Sequence, residues 1–255
     1  TDPDDEDGQE QHDEWLSHHV SLTDLAEDFT GEMIMVGGSI VERMQGQRYG
    51  NQEDHEFGDL YEWYLTRIGG NDFDAIMLGM WDDRISNVLW RMQNGEIPQN
   101  TNPSVWWLQT GEFDYNLDGC SKEVILMGII GIVEEIRSKK PYAKIVVNSM
   151  LPHLHLDDEK VDNEKADVDE PTEAEEWKDM TWINKRLECY TVTHHETTFF
   201  NATQVFMARD QVNVDKDLVD GLFPSYFGAR KWYEAIVDFV EKLGIVDFTG
   251  EKQLP

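Results

Sequence analysis

Short apolar runs alternate with stretches of helical spacing along most of the chain. A short apolar run bounded by turn residues predicts a buried strand, whereas apolar residues at every third or fourth position predict a helix. Strands are predicted at Met33–Val36, Asp74–Leu78, Val105–Leu108, Ala143–Val147 and Thr197–Phe206. Helices are predicted at Asp59–Ile68, Arg84–Met92, Glu123–Arg137, Glu173–Tyr190 and Tyr226–Leu243. This alternation predicts one three-layer α/β/α domain around a five-stranded parallel sheet with right-handed crossovers.

The end of the first predicted strand carries the most informative residues. Gly37-Gly38-Ser39 follows Met33–Val36 directly and opens a helix-like stretch, Ile40–Met44. Parallel α/β proteins present their reactive groups at the carboxyl ends of strands, next to helix N-termini. Ser39 is therefore a candidate nucleophile. Because serine is also a favoured N-cap residue, a helix cap is the structural alternative for Ser39.

Acidic residues are concentrated in two segments. The net charge is −31, and residues 1–14 contain eight acidic residues and no lysine or arginine. Residues 157–179 contain twelve acidic residues and three lysines. We interpret residues 1–14 as an acidic tail and residues 15–250 as the folded domain. An acidic insertion at about residues 156–179 would lie at the sheet edge that carries active-site loops.

This charge limits the kinds of partner. Nucleic acid and anionic membranes would be repelled, so neither is expected to bind. The acidic segments are typical of solvated, partly disordered surface. The alternatives are a docking surface for a basic protein partner or for cations, and an adaptation to saline surroundings.

The remaining composition adds little chemistry. Apolar residues make up 40% of the chain and include nine tryptophans, which is ample for a core. The longest apolar run, Val124–Val133, is too short to span a bilayer. Cys120 and Cys189 imply no disulfide framework, although one bridge between them stays open, and Cys189 is expected to be buried. The first residue, Thr1, suggests a processed chain, secreted or held in an organelle lumen.

The histidines offer no clear site. His153 and His155 form a His-x-His pair that could bind zinc or act as a base, but spacing fixes no third metal ligand. We therefore expect neither a metal nor a cofactor. Ordinary surface or turn positions are the default expectation for the others considered, which are His18, His19, His194 and His195.

Four blocks of sequence, in this order and spacing, resemble one family. They are Val36–Ser39, Asn87–Glu96, Pro141–Val147 with Leu151-Pro152, and Asp220–Pro224. The second block, Asn-Val-Leu-Trp-Arg-Met-Gln-Asn-Gly-Glu, is the most specific. Together the blocks resemble the SGNH hydrolases, or GDSL esterase/lipase family, and within it the alpha subunits of intracellular platelet-activating-factor acetylhydrolase. The resemblance covers about Trp15–Leu243 and implies a flavodoxin-like sheet, esterase chemistry and a homodimer or a place in a larger assembly.

The resemblance also implies which residues occupy catalytic positions. Family members use a serine nucleophile, a histidine base and an aspartate that orients the base. The oxyanion is bound by the serine N–H, a glycine N–H and an asparagine side chain. In this sequence the serine corresponds to Ser39 and the aspartate to Asp220, while Phe223 stands at the histidine position.

The other family positions are also altered. The glycine of the oxyanion hole corresponds to Asp82, and the asparagine corresponds to Gly111 or, in a second register, to Phe113. Gly38 stands where the GDS block has its acidic residue. A carboxylate beside a developing oxyanion would destabilise it. Loss of one oxyanion donor costs roughly 10²–10³ in rate, and loss of the base costs more.

These replacements predict a fold that has kept its frame and lost its chemistry. Trp81, Phe113 and Phe223, on three successive site loops, are predicted to fill the former cleft. Ser39 and Asp220 are then vestigial. Our hypothesis is a catalytically inactive protein that acts as a binding or assembly subunit of a protein complex through its acidic surfaces. The alternative is a divergent serine esterase or acetylhydrolase that acts on short acyl esters through Ser39.

Overall fold

The computed structural model describes residues 6–69, 74–116, 118–152, 173–208, 211–212, 217–219 and 222–244. Its central sheet consists of β1 Met33–Gly37, β2 Ala75–Gly79, β3 Val105–Gln109, β4 Lys144–Asn148 and β5 Thr197–Phe200. The spatial order is β2-β1-β3-β4-β5, and every neighbouring pair is parallel. This is the flavodoxin-like order of doubly wound proteins. It confirms the predicted five-stranded parallel sheet.

Helices cover both faces of the sheet. In chain order they are α1 Glu6–Asp28, α2 Ser39–Met44, α3 His55–Gly69, α4 Ile85–Gln93, α5 Glu112–Asn116, α6 Lys122–Lys139, α7 Glu173–Thr193, α8 Thr203–Phe206 and α9 Tyr226–Lys242. Helices α2, α3 and α9 contribute to one core, and α1, α4, α6 and α7 to the other. Trp106 and Trp107 of β3 belong to opposite cores, as expected of neighbours on a strand. The three-layer α/β/α prediction is therefore confirmed.

The fifth strand ends earlier than predicted. The interval Thr197–Phe206 was predicted as one strand, but β5 stops at Phe200, which pairs with Asn148 at the end of β4. Because β5 is an edge strand, no partner backbone continues beyond that point, and the chain turns into α8 with Phe206 buried. An apolar run alone does not separate a strand from a turn of buried helix.

The N-terminal segment contains a helix that the sequence pattern did not reveal. Helix α1 begins at Glu6 and crosses the predicted boundary between tail and domain at residue 14. Its buried face is formed by His18, His19, Leu22 and Ala26, which recur at helical spacing. Only two of these four are apolar, so the periodic signal was weak. The predicted acidic insertion lies mostly outside the described residues, and its last part begins α7.

The two cysteines are free thiols, so the bridge that the sequence left open is not formed. Cys189 is exposed, and the prediction that it is buried is wrong. It lies two residues beyond Leu187 on α7, whereas Ile183 and Leu187 form the buried face of this helix.

The apolar run Val124–Val133 forms the middle of α6, which packs against α4 and α7. Within the part of the chain that the structure describes, no helix is both long enough and apolar enough to cross a membrane.

Within the described residues, three short antiparallel pairs lie outside the main sheet. They join Gln47–Arg48 to Asn51–Gln52, Met207–Ala208 to Gln211–Val212, and Leu218–Val219 to Phe223–Pro224. The first and the last bring residues to the carboxyl edge of the sheet near α2, as the contacts below indicate.

A fully buried arginine ties the carboxyl edge of the sheet together. Arg91 of α4 donates from Nε to Asp83 Oδ2 at 2.6 Å, from Nη1 to Glu96, and from Nη2 to the Gly37 carbonyl at 2.7 Å. Its side chain has no exposed surface. Arg91 therefore connects the end of β1, the loop after β2 and the segment after α4.

Helix α1 completes this ion network. The Trp15 indole N–H donates to Asp83 Oδ1 at 2.7 Å, and His19 Nδ1 lies 2.9 Å from Glu96 Oε1. Both carboxylates of the network thus have a second partner on α1. Arg91 and Glu96 lie in the block that carries the most specific resemblance, so this block has a structural role.

We predict that Arg91→Met destabilises the protein by about 3–5 kcal/mol, because Asp83 and Glu96 would remain as buried charges without their cation. Urea unfolding at neutral pH measures the difference. The matched control is Arg230→Met on α9, where the pair with Glu234 is exposed on both sides and is expected to contribute under about 1 kcal/mol. Equal losses in the two variants would contradict a supporting role for the Arg91 network.

Candidate active site

Ser39 lies at the tip of β1, as predicted, but its hydroxyl has an unpredicted partner. It is the first residue of α2, and its side chain is fully buried. The N-cap residue is Gly38, and no side chain caps the helix, so the capping interpretation of Ser39 is wrong. Instead, Ser39 Oγ accepts a hydrogen bond of 2.8 Å from the backbone N–H of Asp82. The hydroxyl is turned towards the loop after β2 and away from the helix backbone.

Asp82 adopts the backbone conformation of a glycine. Its φ is +59°, in the left-handed region that favours glycine. This conformation agrees with the register that places Asp82 at the family's glycine position. The backbone N–H points to Ser39 Oγ, whereas the exposed carboxylate accepts a hydrogen bond of 2.8 Å from the Tyr49 hydroxyl. The structure thus brings Ser39 and Asp82 together through the backbone of Asp82.

Gly38 has no room for the acidic residue of the GDS block. A Cβ atom added at Gly38 would lie 2.9 Å from the carbonyl oxygen of Asp83, closer than real Cβ contacts. The loop after β2 therefore packs directly on the backbone of Gly38. An aspartate at this position would need this loop to shift.

The remaining predicted positions lie on other loops. Gly111, between β3 and α5, has φ +117°, and a Cβ there would meet Ile125 of α6 at 3.2 Å. Phe113 is buried in α5. Phe223 belongs to the short pair with Leu218–Val219. Asp220 lies outside the described residues.

The three aromatic side chains predicted to fill the former cleft are in contact. Phe223 stacks on Trp81 with ring centroids 5.4 Å apart and planes 8° apart, and it meets Phe113 at 5.7 Å. Three arginines cover this cluster: Arg43 lies 4.9 Å from the Phe223 ring, Arg48 lies 4.9 Å from the Trp81 ring, and Arg84 lies 5.6 Å from the Phe113 ring. Phe223, which the resemblance places at the histidine position, is thus held in a stack of rings and guanidinium groups.

Among the described residues, no histidine is in contact with the Ser39 hydroxyl. Ser39 Oγ makes no hydrogen bond to an imidazole within the ranges that the structure covers. The expectation of ordinary surface positions is wrong for His18 and His19, which are buried beside Glu42 and Glu96. Burial lowers the pKa of His18 to about 4. His153 and His155 lie outside the described residues.

Besides Asp83, whose pKa burial also raises, three carboxyl groups near the sheet edge are buried and have raised pKa values. Burial raises the pKa of Glu42 to about 7, partly opposed by the Gly50 N–H at 2.7 Å. Burial likewise raises the pKa of Glu112 to about 7, opposed by the Leu151 N–H at 2.8 Å. Asp114 accepts from the Ile85 N–H at the start of α4, and burial raises its pKa to about 6. These buried groups could not be predicted from the sequence, because no local pattern marks an acidic residue as buried.

No group of acidic, histidine or cysteine side chains suited to hold a metal ion occurs among the described residues. The residues that sequence reasoning missed near Ser39 are those of the Arg91 network, which support the loops of the site. Arg91 and Glu96 lie in the Asn87–Glu96 block, whose resemblance to the family was the available signal. The hydrogen bond from Arg91 to the Gly37 carbonyl at the end of β1 becomes visible only in the three-dimensional structure.

The chain was compared with known protein families, sequences and structures. No family model matches the chain. The human platelet-activating factor acetylhydrolase IB subunit alpha2 is 28% identical over 142 residues, covering 55% of this chain and 52% of that protein. The alpha1 subunit of Pongo abelii is 22% identical over 215 residues, covering 84% and 77%. The chain thus spans about half the length of the first of these relatives.

A solved structure gives the same architecture. The GDSL-like lipase of Bacteroides thetaiotaomicron superposes with a TM-score of 0.62 at 16% identity, covering 90% of this chain and 98% of that one. At this identity the likeness concerns the fold. It agrees with the sheet order found here, and the predicted resemblance in fold and sequence is confirmed.

We predict that Glu112→Gln flattens the dependence of stability on pH. The pKa of Glu112 is raised in the folded protein, so folding takes up a proton; its stabilising effect is complete below about pH 4.5 and is lost as pH rises through about 7. Between about pH 5 and pH 8 the parent chain should lose about 2 kcal/mol more than the variant. Urea unfolding at both pH values measures the difference.

The control is Glu241→Gln, the same change at an exposed position of α9. It should follow the parent chain at both pH values. If Glu112→Gln and the parent chain lost the same stability between the two pH values, this would contradict the conclusion that burial raises the pKa of Glu112.

Proposed function

We propose that the chain, which has the fold of the SGNH hydrolases and resembles the platelet-activating factor acetylhydrolase alpha subunits in sequence, is a non-hydrolysing binding or assembly subunit. The observation that carries the proposal is the fate of the base position. Phe223, which the resemblance assigns to that position, stacks on Trp81. The Ser39 hydroxyl oxygen accepts a hydrogen bond from the Asp82 N–H, and no imidazole of the described residues is hydrogen-bonded to it.

The chemistry of a serine esterase explains why this matters. An alkyl hydroxyl is a weak nucleophile at neutral pH unless a neighbouring base removes its proton. A phenyl ring cannot do so. Removing a triad member from a serine hydrolase leaves only the rate that binding and the oxyanion hole supply. The oxyanion hole is also weakened here, because neither Gly111 nor Phe113 carries a side-chain donor.

The binding role is supported by what the fold retains. The Arg91 network and both cores are intact, so the frame is maintained without a complete catalytic set. The surface carries a large negative charge. We propose that a protein partner with a basic surface binds there, with the acidic residues 1–14 and 157–179 among its contacts, and that the chain works within a complex or as a homodimer. Electrostatic attachment of this kind weakens with added salt.

One observation favours a divergent esterase as the second candidate. Ser39 Oγ and the Asp82 N–H remain 2.8 Å apart, so a hydroxyl and one donor of the oxyanion hole are still adjacent. In this alternative, a base from outside the described residues would activate Ser39. Short acyl esters would be its substrates.

We predict that the purified chain does not hydrolyse short acyl esters above the rate of Ser39→Ala, and that a fluorophosphonate probe labels neither protein. Assays with p-nitrophenyl acetate over a range of pH values measure turnover, and mass spectrometry measures labelling. Turnover or labelling that disappears in Ser39→Ala would overturn the proposal and establish the esterase.

The same variant tests the structural role of the hydroxyl. Ser39→Ala leaves the Asp82 N–H without its acceptor and should cost about 1 kcal/mol in urea unfolding. Ser39→Thr would keep the hydroxyl oxygen, but it is not a suitable control, because its extra methyl group would enter a buried site. Ser225→Ala, which removes the cap at the start of α9, provides a comparison of similar size with no effect on the loop after β2.

A further inference from the structure

A large aromatic cleft opens beside Asp82, separate from the Ser39 hydroxyl. Its volume is about 710 Å³, and it lies between α1, α4 and the turn that carries Tyr49. Its lining includes Trp15, Tyr49, Trp81, Asp82, Asn87 and Trp90. Ser39 is fully buried and does not line it. The volume lies within the range of small-ligand sites in proteins, roughly 300–1,000 Å³.

The walls of the cleft are held in place before any ligand arrives. The Trp15 indole is fixed by its hydrogen bond to Asp83 in the Arg91 network. Trp81 is fixed by stacking on Phe223, and Asp82 by its bond from Tyr49. A site with ordered walls loses less conformational freedom on binding.

One wall of the cleft already shows which chemistry suits these rings. The Arg48 guanidinium lies 4.9 Å from the Trp81 ring and 5.8 Å from the Tyr49 ring. Indole rings are the best aromatic partners for cations. Trp90 is 42% exposed and tilted against Trp15 at 5.4 Å, and no lysine or arginine of the described chain covers it. An aromatic face is thus available beside one that is occupied by a cation.

Acidic groups of the surroundings also favour a cation, and they outnumber the two nearby guanidinium groups, Arg48 on Trp81 and Arg84 on the Asp82 carbonyl. Asp82 contributes a carboxylate to the lining itself. Asp13 and Glu14 are exposed on α1 next to Trp15, and the whole chain has a net charge of −31. A field of this sign raises the local concentration of cationic groups and steers them to the surface.

We infer that this cleft binds a guanidinium or ammonium side chain carried by a basic segment of a protein partner, which rests on Trp90 and is held by the Asp82 carboxylate. This inference rests on the proposed binding function and names the site and chemistry of its partner. It locates one contact with the partner in the cleft, at Trp90 and Asp82, in addition to contacts with the acidic surface.

The test compares two short peptides that differ only in charge. One alternates arginine and glycine, and its twin carries citrulline, the uncharged isostere, at each arginine. Calorimetry with the full chain should give binding at least about tenfold tighter for the arginine peptide. Equal binding of the twins would overturn the inference, because the cleft would then recognise shape or apolar surface alone.

Variants locate the binding. Trp90→Ala should weaken the arginine peptide about tenfold, and Asp82→Asn, which leaves the walls unchanged, should weaken it several-fold. Tyr142→Ala is the control, since Tyr142 is fully exposed before β4 at the opposite edge of the sheet. Binding unaffected by both Trp90→Ala and Asp82→Asn would overturn the site. Tetramethylammonium that competes at the same seat with higher affinity than the peptide would overturn the assignment to a protein partner.

The two proposals fail independently. Ester turnover that depends on Ser39 would overturn the non-hydrolysing function and leave the peptide result standing. A missing preference for the arginine peptide would overturn the cleft assignment while the absence of turnover stands.

Discussion

The buried Arg91 cation and its two carboxylates determine how the carboxyl edge of the sheet is built. A buried charge is tolerated only when its partners are present in good geometry, and removal of one partner costs several kcal/mol. Arg91 reaches the carbonyl of Gly37, two residues before Ser39, and the carboxylate of Asp83, directly after Asp82. The separation of Ser39 and Asp82 is therefore imposed by residues that take no part in chemistry. Trp15 and His19 extend the same constraint to α1.

This arrangement separates the geometry of the site from its reactivity. The backbone positions at the strand ends depend on the ion network, whereas an acyl-transfer reaction would depend on the side chains that face the hydroxyl. The side chains that face the hydroxyl can therefore change without loss of the fold. This explains how the Asn87–Glu96 block can keep its resemblance while Phe223 stands where the resemblance places the base. The stack of Phe223 on Trp81, covered by Arg43 and Arg48, stabilises these loops through ring and cation–π contacts.

The sheet and the place of Ser39 could be predicted because they depend on short-range signals. Each of the first four core strands is an apolar run whose ends are marked by a turn, and Ser39 follows the first of them directly. The partner of Ser39 could not be predicted, because the Asp82 N–H is brought there by a loop that only the three-dimensional network positions. The alternative, a helix cap, was the better local expectation and lost to a tertiary contact. Helix α1 was missed for a related reason: half of its buried face consists of histidines, whose burial depends on Glu42 and Glu96 far along the chain. Strand β5 ends at Phe200 because its neighbour β4 ends at Asn148. No property of residues 201–206 could indicate this end from the sequence.

Asp82 contributes to both the Ser39 site and the aromatic cleft. At an oxyanion hole, a carboxylate would oppose the negative charge that develops during acyl transfer, so the residue is unfavourable for hydrolysis. In this structure its N–H faces Ser39 and its carboxylate faces the other way, towards Tyr49 and the aromatic cleft. The left-handed backbone at Asp82 makes this division possible, since it directs the amide inward while the side chain stays exposed. A glycine would have provided the same N–H with no carboxylate. The cost of aspartate at a left-handed position is small, because this residue type is among the few that tolerate it. The side chain that weakens the case for an esterase therefore supplies the negative charge that a cation-binding cleft requires.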